Sequence, residues 1–177
     1  WAARRFGVNT RFIELAGEVN TSMPHHVIEK VVGALNQRGR SLRGSRVLVL
    51  GAAYKPNVDD CRESPAVELM ELLMHWGADV SYNDPHVPAL PPMRGHSIRL
   101  RSVPLTPAAL QAQDCVLICT DHAAYDWSDV LRHSSLVIDI VVIDIVTMQC
   151  VAVYHSVVVA VGIRDVITIA VNFVNVF

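Results

Sequence analysis

Tyr54, Lys55, Asp59, Asp60, Arg62 and Glu63 crowd into one short stretch of the chain, directly after the apolar run Val47, Leu48, Val49 and Leu50. Two cations among carboxylates can do one of two things. Lys55 and Arg62 can give charge-assisted hydrogen bonds to an anionic ligand, or the whole set can close on itself as a surface salt-bridge cluster. The stretch ends in Ser64-Pro65, a helix opening whose free amides and dipole favour an anion. A dinucleotide fingerprint would put G-x-G-x-x-G here, and the loop has only Gly51, so this is not an ordinary NAD-binding turn. Cys61 beside Arg62 raises an activated thiolate, with inert packing as the favoured reading. Cys115 and Cys119 lie four apart on an apolar segment and share a face, where buried cysteine packs. His86 and His122 follow aspartates in loops without ligand spacing such as HxxxH, and are read as loop hydrogen-bonders rather than metal ligands.

Elements must bring this loop to one place. Val47 to Leu50 suits a strand covered on both faces of a parallel sheet, and Gly51 ends it. Ser64 caps a helix whose stripe is Val67, Met70, Leu73 and Trp76, stopped by Gly77. Asp79 to Asn83 is the next strand, followed by an Asp84-Pro85-His86 turn and a proline-rich segment from Pro88 to Arg94. Ser97 to Val103 reads as a short edge strand, Pro107 to Gln113 as a brief helix, Asp114 to Thr120 as a second apolar strand, Asp126 to Arg132 as a helix and Leu136 to Ile140 as a third. Strands alternating with helices at this spacing predict an α/β, doubly wound parallel sheet, which binds ligands beyond the carboxyl ends of its strands. Ahead of it, Phe12, Leu15, Ala16, Val19, Met23, Val27, Val31 and Leu35 recur at helical steps. A helix over that stretch is about 35 Å long, more than one small domain needs. Pro24 predicts a kink or a restart capped by Thr21 or Ser22.

The run GAAYKPNVDDCRESPA resembles the signature of the nucleotide-sugar dehydrogenases, enzymes that oxidise UDP-glucose, UDP-N-acetylglucosamine, UDP-N-acetylmannosamine or GDP-mannose. FIELAGEVNTSMP before it, and GADVSYNDPHVP and TDHAAYDW after it, agree, so the likeness covers roughly Trp1 to Asp139. It is a likeness to the carboxyl-terminal part of such an enzyme, and the look is closer to the UDP-N-acetylhexosamine enzymes than to the UDP-glucose branch. Asp59 and Asp60 near Lys55 suggest a phosphoacceptor receiver as a rival, but receivers lack the RESPA helix start. The resemblance implies a Rossmann-like domain at 41–140, preceded at 1–40 by the connecting helix through which these enzymes dimerise. It implies substrate contacts from Tyr54 and Lys55, a cofactor-side contact from Arg62, NAD as cofactor, and two hydride transfers that turn an alcohol into a carboxylate. The family's nucleophilic cysteine belongs to a GGHC-type motif expected ahead of Trp1, so no catalytic residue is assigned here and the lone chain is expected to be inactive. The alternative is a non-catalytic module that binds a nucleotide or dimerises.

The 177 residues suit one domain with an appendage, and a net charge of −2 leaves no basic footprint for nucleic acid. Four cysteines without a CxxC pair, and no recognisable leader, predict a reducing cytoplasmic setting. Residues 141–177 break the family pattern after Asp139, repeat the string VIDI and are rich in valine and isoleucine. Three readings stand open for this tail: a non-native end from an altered reading frame, extra strands, or a membrane segment.

Overall fold

The computed structural model describes residues 11–140, 157–161 and 165–169. Helix α1 (Arg11–Gln37) leads into strand β1 (Arg46–Leu50), helix α2 (Pro65–His75) and strand β2 (Asp79–Asn83). Helix α3 (Pro107–Gln111), strand β3 (Cys115–Ile118), helix α4 (Trp127–His133) and strand β4 (Leu136–Asp139) complete the alternation. The strands lie in the order β2-β1-β3-β4, all parallel, with Leu50 level with Asn83 on one side and Ile118 on the other. Strands β5 (Val157–Val161) and β6 (Asp165–Ile169) continue the sheet antiparallel beyond β4. These two segments agree with the extra-strand reading of the tail; the rest of the valine- and isoleucine-rich tail lies outside the described residues.

The apolar runs form buried strands because both sheet faces are covered. Val47, Val49, Cys115, Leu117, Leu136 and Ile138 point into a core shared with Val27, Val31 and Leu35 of α1 and with Leu69, Met70 and Leu73 of α2. The alternate residues Leu48, Leu50, Val116, Ile118 and Val137 meet Leu110 of α3 and Val130 of α4. This is the Rossmann-like doubly wound arrangement that the alternation predicts. Because β1 is flanked by β2 on one side and β3 on the other, the chain reverses direction across the sheet between β1 and β3, and open α/β sheets bind ligands in a crevice at the carboxyl edge of such a switch point.

Helix α1 runs unbroken through Pro24, so there is no restart capped by Thr21 or Ser22; packing of Met23, Val27 and Ile28 into the core outweighs the one lost amide. Two expectations need correction. Trp76 is not part of the buried stripe: it is the C-cap residue of α2 and about half exposed, 48%, because the buried part of the helix ends at Leu73. Residues 97–103 do not form a strand. They make only isolated bridges, Ser102 to Tyr82 and Arg101 to Ala89, since the proline-rich partner segment offers too few amides for a ladder.

Candidate functional site

Three loops meet at the crevice, and one carboxylate ties them together. Asp84, the first residue after β2, is fully buried. Its Oδ2 accepts from the amides of Ala52 (2.7 Å) and Ala53 (3.0 Å) after β1 and from Nε2 of His122 (3.0 Å) after β3. Its Oδ1 accepts from the amides of His86 (2.7 Å) and Val87 (3.0 Å) in its own turn. Burial alone would raise its pKa, but the amides of His86, Ala52 and Ala53 hold it below the ordinary carboxylate value. Around this centre Gly51 N–H donates to Asn83 O, the Thr120 hydroxyl to Ala53 O and the Tyr125 hydroxyl to Asn83 O.

The loop from Ala53 to Ser64 is built on that base. Asn57 takes a left-handed conformation (φ 61°), which asparagine tolerates better than most residues. Its amide donates to Nδ1 of His122 and its side-chain oxygen accepts from the amide of Ala123. Tyr54 N–H donates to Asp60 O, closing the loop. Ser64 caps α2 by accepting from the amide of Ala66, as the Ser-Pro opening predicts.

Tyr54 and Lys55 are exposed at the loop's outer side, with Lys55 Nζ 5.5 Å from the centre of the Tyr54 ring. Arg62 is exposed too, but its guanidinium is engaged: Nε and one terminal nitrogen donate to the two oxygens of Asp60 at 2.9 and 2.7 Å. That pairing pulls the Asp60 pKa down to about 2. The salt-bridge reading therefore holds for Asp60 and Arg62, while no ion pair engages Lys55 among the described residues. Cys61 is buried, and burial with the nearby carboxylates of Asp84, Asp60 and Asp59 pushes its thiol up to about 11, the opposite of activation. Cys115 and Cys119 are buried, with their thiols raised by desolvation. His122 is the loop hydrogen-bonder that its position predicts; its partnership with Asp84, and the reach of both into the β1 loop, were not legible. An aspartate immediately after one strand and a histidine soon after another are the only sequence signals they leave.

Comparison with known proteins bears on this arrangement. Residues 48–161 match the UDP binding domain of the UDP-glucose/GDP-mannose dehydrogenase family, a span that opens on β1 and includes all three crevice loops. The chain belongs to that family. Relatives of this UDP binding domain include a UDP-N-acetyl-D-mannosamine dehydrogenase of Methanococcus maripaludis, 34% identical over 66% of this chain and 25% of that protein. A UDP-glucose 6-dehydrogenase of Haloferax volcanii is 36% identical over 78% of the chain and 31% of its own length. Among solved structures, a UDP-glucose dehydrogenase from the hyperthermophilic archaeon Pyrobaculum islandicum superposes with a TM-score of 0.54, 31% identical, over 77% of this chain and 30% of that one. The chain thus spans a quarter to a third of the length of these relatives.

Proposed function

We propose that this domain supplies the nucleotide-sugar side of the cleft in an NAD-dependent UDP-sugar 6-dehydrogenase, which oxidises the C6 alcohol of a UDP-sugar to a carboxylate in two hydride transfers. The observation that carries the reading is the family's UDP binding domain falling on residues 48–161, a span that includes the loops at the sheet's switch point. Lys55 is the cation placed to meet the nucleotide's phosphates or sugar, with Tyr54 beside it as an apolar wall. Arg62 is proposed to turn toward the cofactor, exchanging Asp60 for an anionic partner. The β1 loop is not assigned to NAD, because it lacks the G-x-G-x-x-G run of a dinucleotide site, and an anion there is met by the Lys55 side chain instead. The cofactor is therefore assigned to another part of the enzyme. The three free, buried cysteines accord with a reducing, cytoplasmic setting.

A charge-assisted hydrogen bond contributes about 1.5–3 kcal/mol, so Lys55→Ala should weaken UDP-sugar affinity roughly ten- to a hundredfold. Arg62→Ala should instead raise the requirement for NAD in the complete enzyme. Titration calorimetry reads the first and cofactor-dependent kinetics the second; unchanged affinity in Lys55→Ala would remove it from the site.

The purified chain should not reduce NAD with any UDP-sugar. Among the described residues, the cysteines Cys61, Cys115 and Cys119 are neither accessible nor acidified, so none of these three can capture an aldehyde. Measurable NADH formation would show that a nucleophile had been overlooked. Helix α1 is proposed as the dimer element: its second half is buried in this domain, whereas Leu15 in its first half is exposed. Sedimentation at rising concentration should show a dimer, and a strictly monomeric profile would contradict that role.

A further inference from the structure

His122 is wholly buried, yet both of its ring nitrogens are bonded, and with opposite polarity. Nε2 faces the Asp84 carboxylate at 3.0 Å, which accepts only, so this nitrogen carries the proton. Nδ1 faces the amide of Asn57 at 2.9 Å, which donates only, so this nitrogen carries a lone pair. The partners fix a single neutral tautomer. Asn57 stands two residues beyond Lys55, and its side chain clips the same loop to Ala123, one residue beyond His122. Asp84 meanwhile anchors the loop's beginning at Ala52 and Ala53. Lys55 thus rides on a segment held at both ends by one Asp84–His122 pair.

We infer that His122 is a positioning residue: its Nε2-protonated imidazole holds the loop carrying Tyr54 and Lys55 over the crevice in the conformation that receives a nucleoside diphosphate. This rests on the functional reading above, because the loop's pose matters only if a ligand meets Lys55. The energetic logic is preorganisation: a loop fixed before binding does not have to be ordered by the ligand. The Asn57 bond ties an otherwise exposed loop to a buried imidazole. Removing it frees the loop without touching any ligand-facing side chain.

The test reads the clamp with and without UDP. Long-range proton–nitrogen NMR of the unsubstituted chain should show the His122 ring protonated at Nε2 and bare at Nδ1; the reverse tautomer would overturn the inference. In His122→Ala, exchange of the Asn57 amide should accelerate at least about tenfold, and UDP affinity should fall roughly two- to tenfold, the loss of one hydrogen bond. Because emptying a buried site can unfold this edge, His122→Gln is the companion variant, offering one donor to Asp84 and one acceptor to Asn57. It should bind UDP within about twofold of the unsubstituted chain. A folded His122→Ala with unchanged Asn57 exchange, or a folded His122→Gln as weak as the alanine variant, would overturn the positioning role. Failure of the unsubstituted chain to bind UDP at all would instead count against the functional reading, since tautomer and exchange are measured without ligand.

Discussion

Asp84→Ala should cost about 3–5 kcal/mol of folding stability, enough to unfold many domains of this size. The substitution strips partners from the amides of Ala52, Ala53, His86 and Val87 and from the His122 imidazole at one stroke. Buried donors left unpaired cost more than the bonds were worth. The pH dependence has a definite sign. The folded carboxyl titrates below its unfolded value, so its contribution is complete above about pH 4 and is lost as the pH falls through the depressed folded pKa. Denaturant melts of the parent and Asp84→Ala should therefore converge as the solution is acidified. A gap that stays constant from neutrality into the acid range would mean that the carboxylate is not the linchpin of the three loops.

Gly51→Ala should cost about 2–4 kcal/mol, from two separate sources. Gly51 sits at φ 83°, in the left-handed region where a Cβ is strained. A Cβ there would also come within 2.5 Å of Thr120 Cβ and 2.6 Å of Thr120 O. The second of these contacts is backbone, so the β3 strand end would have to move. Since Thr120 also donates to Ala53 O, its displacement should open the crevice and weaken UDP binding as well as folding. A thermal melt beside a UDP titration checks both effects, and a melting temperature unchanged in Gly51→Ala would show that β1 and β3 do not close on each other here.

Where local chemistry decides the structure, the sequence was legible. The Val47 to Leu50 run is buried on both sides as its unbroken apolar pattern requires, and Ser64-Pro65 opens α2. Gly77 ends that helix in a positive-φ turn. The resemblance carried by GAAYKPNVDDCRESPA led to the right family because that motif lies in a single loop. The features that stayed hidden are long-range. Asp84 meets Ala52 across 32 residues and His122 across 38, and no periodicity links residues so far apart. Trp76 was misplaced because helical spacing extends a stripe to the helix end, whereas burial of α2 stops at Leu73. The neutralisation of Arg62 by Asp60 was open as one of two readings, and only geometry could choose between Asp59 and Asp60 as its partner.

The site proposed for UDP is the set of loops that leave the carboxyl ends of β1, β2 and β3. A second concavity exists on the other side of α2, an open groove lined by Glu71, Met74, His75, His96 and Arg99, away from the sheet's carboxyl edge. Amide chemical-shift mapping during a UDP titration of the chain distinguishes the two places directly. Saturable shifts confined to residues 52–57, 84–87 and 120–123 are the predicted result. Shifts centred on Glu71 and His96, or no saturable shift in a folded chain, would contradict it.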